Sequence, residues 1–175
     1  MMEYEVKIRV PSLLPIRARL GSLGIQQATS LTEIDLYFNA PDRDFGITDE
    51  ALRIRSTDEG TSLTYKGPKL GLGGVKAREE LIVQVGSREA MEEILQRLGF
   101  TRTVVVEKTR ETYHVDGTFV ALDEVKGLGS FVEIEAPSGM GEDEAIALIS
   151  RVREILEVTG KETTLSYLEM VLAKR

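Results

Sequence analysis

Charged and apolar side chains alternate along residues 3–10 of the chain. A β-strand imposes a period of two, so Glu3, Glu5 and Lys7 share one face of this strand while Val6 and Ile8 lie on the other. At least five later segments repeat the pattern, with charges of both signs on the polar face. The pattern predicts a β-rich chain in which many strands have one charged face and one apolar face.

Helical patterns and turn signals separate these strands. A proline-rich start predicts a helix up to about Leu23, and Ser87 is a suitable N-cap for a second helix. Residues 67–74 are rich in glycine and are predicted to form a mobile loop. Strands are predicted at 3–10, 25–39, 52–55, 62–66, 75–85, 101–115, 118–125 and 130–136, and helices at 11–23, 87–98, 142–159 and 163–173. This order, with helices between hairpins, predicts the α+β class.

The composition limits the class of protein. With 175 residues, of which 42% are hydrophobic and 29% charged, the chain is predicted to fold as one soluble domain over residues 1–175. The formal net charge of −7 argues against a general nucleic-acid-binding surface, and no apolar run is long enough for a membrane span. The absence of cysteine excludes disulfides and thiolate chemistry. Together with a start that lacks the features of a secretory signal, this predicts a cytoplasmic protein.

The charged strand faces form a large set when they are sorted by parity. In a sandwich these faces would point to solvent, which is the ordinary position for charged residues. In a closed barrel wrapped by helices the apolar faces pack outward instead, and about eight strands can enclose a small ligand. We predict the closed eight-stranded antiparallel barrel. Its inward-facing set is Glu3, Glu5, Lys7, Arg53, Arg55, Lys66, Lys76, Arg78, Glu80, Lys108, Arg110, Asp123, Glu133 and Glu135.

The order of charge signs along the chain favours the barrel. The acids lie mostly near the two ends of the sequence, whereas the middle supplies mostly bases. Arg53 and Arg55 are like charges two residues apart on one face, and they repel unless an anion lies before them. Arginine and lysine are the usual ligands of phosphate groups, while clustered carboxylates hold Mg²⁺ or Mn²⁺ that bridges to phosphate. The set therefore predicts a cavity for a metal-bound polyphosphate, which attracts anions when it is empty.

Two other features carry less information. The glycine run at 71–74 lacks the Lys-Ser/Thr that follows in a P-loop. His114, the only histidine, is predicted to lie off the charged register in an outward or packing role. Neither feature changes the prediction of a charged cavity.

The motifs on these strands resemble those of the CYTH domain, the family of triphosphate tunnel metalloenzymes. The Glu-x-Glu-x-Lys pattern at the amino terminus is short, but its partners follow in order through nearly the whole chain. Ser130 departs from the class IV adenylyl cyclase group, which the motifs resemble most and which often has Asp there. The matching motifs are Glu3-x-Glu5-x-Lys7, Asp35-x-Tyr37-Phe38, Leu52-Arg53-Ile54-Arg55, Tyr65-Lys66-Gly67-Pro68, Arg78-Glu79-Glu80, Lys108-x-Arg110, Leu122-Asp123-Glu124-Val125 and Gly127-Leu128-Gly129-x-Phe131-Val132-Glu133-Ile134-Glu135.

The resemblance implies an eight-stranded tunnel with assigned residue roles. Glu5, Lys7 and Glu133 would take part in catalysis, and Lys76 and Glu80 share the tunnel register. The implied metal ligands for Mg²⁺ or Mn²⁺ are Glu3, Glu5, Asp123, Glu133 and Glu135. The implied substrate-binding residues are Lys7, Arg53, Arg55, Lys66, Lys76, Arg78, Lys108 and Arg110.

Three functions agree with the resemblance. The first is an adenylyl cyclase of class IV type, in which the ribose 3′-oxygen of ATP attacks the α-phosphorus and pyrophosphate leaves. The second is a triphosphatase that hydrolyses inorganic, thiamine or nucleoside triphosphate in the same tunnel. The third is a polyphosphate- or nucleotide-binding module without catalysis. The expected partner is ATP or another triphosphate, with no nucleic acid and no membrane, and a homodimer is an assembly that the sequence allows.

Overall fold

The computed structural model describes residues 2–72 and 75–175. The eight predicted strands and four predicted helices are present, and the structure adds one short helix and two strands of three residues. The elements are β1 (Met2–Val10), α1 (Leu14–Ser22), β2 (Gln27–Asn39), α2 (Phe45–Thr48), β3 (Ala51–Thr57), β4 (Gly60–Lys66), β5 (Leu70–Leu72), β6 (Val75–Val85), α3 (Arg88–Arg97), β7 (Thr101–Val115), β8 (Thr118–Val125), β9 (Gly129–Glu135), α4 (Glu142–Ile155), β10 (Lys161–Thr163) and α5 (Tyr167–Ala173).

Several predicted boundaries differ from the structure, and α4 ends at Ile155 rather than near residue 159. The last helix begins at Tyr167, because residues 161–163 pair with β1 as β10. The predicted mobile loop at 67–74 includes β5, whereas residues 73 and 74 lie outside the described residues. Among the described residues, no helix combines the length and apolar character that crossing a membrane would need.

Eight antiparallel strands close into a barrel in the order β1-β9-β8-β7-β2-β3-β4-β6. Four residue pairs between β6 and β1 close the ring, from Met2 opposite Glu79 to Glu5 opposite Lys76. The short strands β10 and β5 pair with β1 and β6 outside this ring. The predicted α+β fold with a closed eight-stranded antiparallel barrel is therefore confirmed.

The apolar strand faces point outward and are covered by helices. Val6, Ile8 and Ile134 belong to a cluster that includes Ile149 and Val152 of α4. The apolar positions of α4 follow the spacing of one helical face, which is why this helix can cover the sheet. On the other side of the barrel, a second cluster includes Leu36, Phe38 and Ile54 of the sheet and Leu95 of α3. The core thus lies between barrel and helices, and the charged faces are left for the interior.

A third apolar cluster fills one end of the barrel. It contains Val104, Val125 and Phe131 from the strands together with Tyr167 and Met170 from α5. The side chain of Ser166 accepts a hydrogen bond from the backbone N–H of Glu169, whose carboxylate in turn accepts from the Ser166 N–H, so α5 begins with a capping box. The helix closes this end, and the polar interior extends toward the opposite end of the barrel.

Candidate active site

The barrel encloses a cavity of about 340 Å³. Thirteen of the fourteen residues predicted to face inward line it, and the fourteenth, Asp123, is completely buried behind the lining. The lining contains eight lysine and arginine side chains and five glutamates. The lining residues are Glu3, Glu5, Lys7, Tyr37, Ala51, Arg53, Arg55, Ser62, Thr64, Lys66, Lys76, Arg78, Glu80, Ile82, Gln84, Lys108, Arg110, Glu133, Glu135, Ser166 and Tyr167.

The β2 strand supplies two buried acids that the sequence analysis left out of the site. Asp35 accepts two hydrogen bonds of 2.7 Å from the guanidinium of Arg55, and its carboxylate lies 3.3 Å from the Lys108 ammonium. Glu33 lies 3.1 Å from Arg55 and 2.8 Å from Lys108. Burial alone would raise the pKa of the Asp35 carboxyl, but Lys108, Arg55 and Arg53 outweigh it and hold that pKa well below its usual range. The repulsion between Arg53 and Arg55 is thus relieved by the neighbouring strand rather than by an external anion.

The remaining cations also have partners inside the protein. Lys66 lies 2.7 Å from Glu3 and 2.6 Å from Glu80, and Lys76 forms an ion pair with Glu5. Lys7 lies 3.2 Å from Glu133. Arg110 bridges Glu133 and Asp123, whereas Arg78 donates to the backbone carbonyls of Gly67 and Asp49 at 2.6 and 2.8 Å. Each of these cations thus has a partner among the described residues, and the attraction of anions to the empty cavity stays a prediction.

The formal positive charge of the cavity is matched once the buried acids behind its lining are included. The five lining glutamates together with Glu33, Asp35 and Asp123 give eight carboxylates for eight cations. Their titration differs: burial and the nearby Glu5 raise the pKa of Glu3 to about 8 and that of Glu135 to about 7. When these two carboxyls hold protons, the cavity carries net positive charge.

One cation in the cavity has an incomplete hydrogen-bond set. The Nε atom of Arg53 is buried and has no hydrogen-bond partner in the described protein, and its nearest ion pair, to Asp35, is 3.7 Å long. A buried donor without a partner is costly and is a reason to look for a ligand. Arg53 is therefore a candidate contact for an anionic ligand in the cavity.

A sequence model of the CYTH domain matches residues 1–167. The chain belongs to the CYTH domain family. A Methanocaldococcus jannaschii protein named "Putative adenylate cyclase" is 36% identical over 175 residues, which cover 97% of this chain and 98% of that protein.

Solved CYTH-like structures share the whole fold. A Pyrococcus horikoshii protein is 36% identical, with a TM-score of 0.86 and 99% of each chain covered. A Hippeastrum protein, described as a "Putative adenylyl cyclase" with a dominant triphosphatase activity, has a TM-score of 0.73 over 99% of this chain and 96% of its own. At 20% identity, that second likeness shows the fold alone.

The CYTH resemblance assigns five carboxylates to metal binding, and four of them lie close together in the barrel wall. Glu5 is the direct cross-strand partner of Glu135, and Glu133 is two residues along β9. Glu3 and Glu5 on β1 and Glu133 and Glu135 on β9 therefore lie on adjacent strands along one wall of the CYTH barrel. Oxygen donors of this kind suit Mg²⁺ or Mn²⁺. Burial first, and then repulsion from Glu5, raise the pKa values of Glu3 and Glu135, and a divalent cation would relieve that repulsion.

Three of these carboxylates, Glu3, Glu5 and Glu133, form ion pairs with lysines in this structure. Within the described residues, no three acidic or histidine side chains converge as a ready-made metal site. The donor set fits a divalent ion by its chemistry, and binding requires Lys66 and Lys76 to release Glu3 and Glu5. Asp123 accepts hydrogen bonds from Arg110 and from the Tyr167 hydroxyl at 2.7 Å, so its role as a metal ligand stays a prediction.

Tyr167 is a cavity residue that the sequence analysis missed. Its ring centroid lies 4.1 Å from the Lys7 ammonium and 5.4 Å from that of Lys108, which are cation–π distances. Burial, with Glu133 and Asp123 nearby, raises the pKa of its hydroxyl well above the usual value. No local sequence pattern indicates that Tyr167 lines the cavity, because it enters the CYTH barrel from a C-terminal helix rather than from a strand. Glu33 and Asp35 could have been found, since they share the parity of Tyr37 in the Asp35-x-Tyr37-Phe38 motif.

The predicted orientation of His114 was wrong. Residues 108, 110, 112 and 114 share one parity, and β7 pairs with β8 without a register shift from Lys108 to Val115. His114 therefore belongs to the inward-facing register of the CYTH barrel, beyond Arg110 and toward the end of the strand. Its side chain is exposed and contacts Phe119.

Proposed function

We propose that this CYTH domain is a divalent-metal-dependent adenylyl cyclase that converts ATP to 3′,5′-cyclic AMP and pyrophosphate inside the barrel. The buried Nε donor of Arg53, which lacks a partner among the described residues, carries the proposal of an anionic ligand. The name of the 36% identical relative favours the cyclase reaction over other triphosphate chemistry. The cavity volume of about 340 Å³ is in the range of small-molecule sites.

The strand order supports a division of labour between two walls. In the ring of eight strands, β1 and β9 lie opposite β2 and β3. The first pair carries the glutamates Glu3, Glu5, Glu133 and Glu135, and the second carries Arg53 and Arg55 together with their acidic partners Glu33 and Asp35. A triphosphate bears about four negative charges, which the arginine wall and Lys108 would bind by charge-assisted hydrogen bonds.

The proposed reaction joins the ribose 3′-oxygen of ATP to the α-phosphorus and breaks the bond from that phosphorus to the bridging oxygen, so that pyrophosphate leaves and the proton of the 3′-hydroxyl passes to solvent water. Glu5 and Glu133 would hold a divalent ion at the glutamate wall. Such an ion would lower the pKa of the 3′-hydroxyl and compensate charge at the phosphates. Lys7, released from Glu133, donates to an oxygen of the reacting phosphate. The lumen cations stabilise the charge that moves onto pyrophosphate.

Product analysis tests this proposal. Purified protein is incubated with ATP and Mg²⁺ or Mn²⁺, and cyclic AMP, pyrophosphate and orthophosphate are resolved. We expect cyclic AMP and pyrophosphate in equal amounts. We also expect that 3′-deoxy-ATP binds without giving a cyclic product and that tripolyphosphate competes with ATP.

Other products would assign another function. Release of orthophosphate from both ATP and tripolyphosphate, with no cyclic nucleotide, would make the protein a triphosphatase. Binding of ATP without any product under both metals would make it a nucleotide-binding module.

A further inference from the structure

An aromatic pair lies at the tip of the hairpin formed by β7 and β8. The turn between the strands has positive φ at both central residues, 49° at Asp116 and 86° at Gly117, as a type I′ turn requires. The pair next to the turn-closing residues is His114 opposite Phe119. Their ring centroids are 4.9 Å apart with an interplanar angle of 66°. Phe119 is nevertheless 45% exposed, so its ring is only partly covered.

The backbone register places this pair on the cavity side of the barrel. Phe119 is the cross-strand partner of Glu135, which lines the cavity, and directly paired residues of antiparallel strands point to the same face. On β8, the same face continues inward to Asp123 and then to Val125, which belongs to the apolar cluster that fills the other end. Phe119 thus lies at the end of the barrel opposite α5, four residues or about 13 Å along the strand from Asp123.

Exposure of one phenylalanine is ordinary for a protein surface. The position of Phe119 sets it apart, because the barrel rim on which it lies continues directly into the charged cavity. The opposite rim, between the β3–β4 and β6 segments, contains Leu31, Ser62 and Gln84 but no aromatic ring. A flat aromatic group that emerges from the cavity would therefore find a stacking surface only on the His114–Phe119 side among the described rim residues.

We propose that His114 and Phe119 form a subsite that stacks against the nucleobase of a nucleoside triphosphate whose phosphates lie in the barrel. This inference rests on the proposed function, since it needs the triphosphate in the cavity. The charged interior suits phosphates but offers little to the apolar faces of a base. Stacking on an aromatic side chain gains about 5- to 150-fold in affinity per base and tolerates different bases. The subsite would distinguish nucleotides from tripolyphosphate.

A structural role for the pair makes a different prediction. Aromatic cross-strand pairs stabilise hairpins, so His114 and Phe119 could serve only to hold the β7–β8 tip. In that case, truncation of Phe119 lowers the melting temperature and leaves the relative affinities of the two ligands unchanged. A contact with a second copy of the chain would appear as a change of oligomeric state on truncation.

Binding is measured by calorimetry with Mg²⁺ and two ligands, α,β-methylene-ATP, which cannot be cyclised, and tripolyphosphate. The variants are Phe119→Ala, Phe119→Tyr and His114→Ala, and Val105→Ala is the matched control because Val105 is 42% exposed on the outer face of β7. We expect Phe119→Ala to weaken the nucleotide analogue about 5- to 150-fold and tripolyphosphate less than twofold. Phe119→Tyr should retain the nucleotide affinity, His114→Ala should weaken it less than Phe119→Ala does, and Val105→Ala should change neither ligand.

The outcomes separate this subsite from the proposed function. If the unmodified protein binds tripolyphosphate but Phe119→Ala weakens both ligands equally or neither, the subsite is refuted and the phosphate site stands. A change limited to melting temperature or oligomeric state refutes it in the same way. If the unmodified protein binds neither ligand, the proposed function and the subsite both fail.

Discussion

Replacing Asp35 by asparagine should destabilise the free protein strongly. Asp35 is completely buried and is shared by three cations: Arg55 at 2.7 Å, Lys108 at 3.3 Å and Arg53 at 3.7 Å. Asp35→Asn preserves the volume of the side chain but removes the charge that holds these cations together. It also turns an amide N–H₂ toward groups that can only donate hydrogen bonds.

The magnitude follows from the contacts. Removing one partner of a buried ion pair costs about 3–5 kcal/mol, because the other charge stays buried without compensation. The nearby Glu33 still compensates Arg55 and Lys108, which places the expected loss at the lower end, about 3 kcal/mol. For a chain of this length, each kcal/mol lowers the melting temperature by about 2–4 °C, so we expect a decrease of roughly 6–12 °C.

Urea denaturation at low ionic strength with EDTA measures the effect without screening the charges. Asp58→Asn is the matched control, because Asp58 is exposed in the β3–β4 turn and makes no ion pair or side-chain hydrogen bond in the described structure. The depressed pKa of Asp35 means that its stabilisation is present above the ordinary value near 3.9 and is lost as pH falls below it. The difference between wild type and Asp35→Asn should therefore stay constant from pH 6 to 8 and shrink below about pH 4. Equal midpoints for wild type and Asp35→Asn at pH 7 would refute the charge network as a source of stability.

Three further predictions concern the two faces of the strands and the pH response. Ile54→Ala, at a fully buried position in the cluster with α3, should cost about 2–5 kcal/mol in urea denaturation, and a loss below 1 kcal/mol would contradict the outward-facing core. Glu5→Gln should reduce turnover roughly 10²–10³-fold in the product assay while circular dichroism still shows a folded chain; full activity would remove Glu5 from the proposed metal site. The pKa of Glu3 is raised to about 8, so its contribution to stability is present below about pH 4.5 and is lost as pH rises toward 8. Glu3→Gln in EDTA should accordingly make the protein more stable at pH 8 and weaken the decline between pH 5 and 8, and an unchanged pH profile would count against that shift.

The sequence predicted which residues face the cavity because strand alternation is a local rule. Parity along each strand was enough to place Arg53, Lys108 and Glu133 inside without any knowledge of neighbouring strands. Which cation meets which acid depends on strand order, and that order comes from long-range closure. The sequence analysis therefore missed that β2 lies between β7 and β3, and that Glu33 and Asp35 compensate the bases on both sides.

The short strand β10 and the closure of one barrel end by α5 could not be predicted from the sequence, because both depend on contacts between distant parts of the chain. The strand at residues 161–163 has three residues, and its conformation is set by pairing with Arg9 and its neighbours in β1. Tyr167 enters the site because α5 packs against β7 and Phe131, a contact between distant parts of the chain. Neither result follows from local propensity. The error at His114 had a different origin, since the parity was available in the sequence and was misread.

The pairing of most lumen cations with carboxylates has a consequence for how the proposed ligands bind. A bare triphosphate adds about four negative charges to a lumen in which seven of the eight cations already have carboxylate partners, and a bare divalent ion must displace Lys66 and Lys76 from Glu3 and Glu5. When both enter together, the carboxylates exchange lysines for the metal and the cations exchange carboxylates for phosphate, so neither set loses its partner. Each ligand should therefore raise the affinity of the other, and by linkage the two effects are equal.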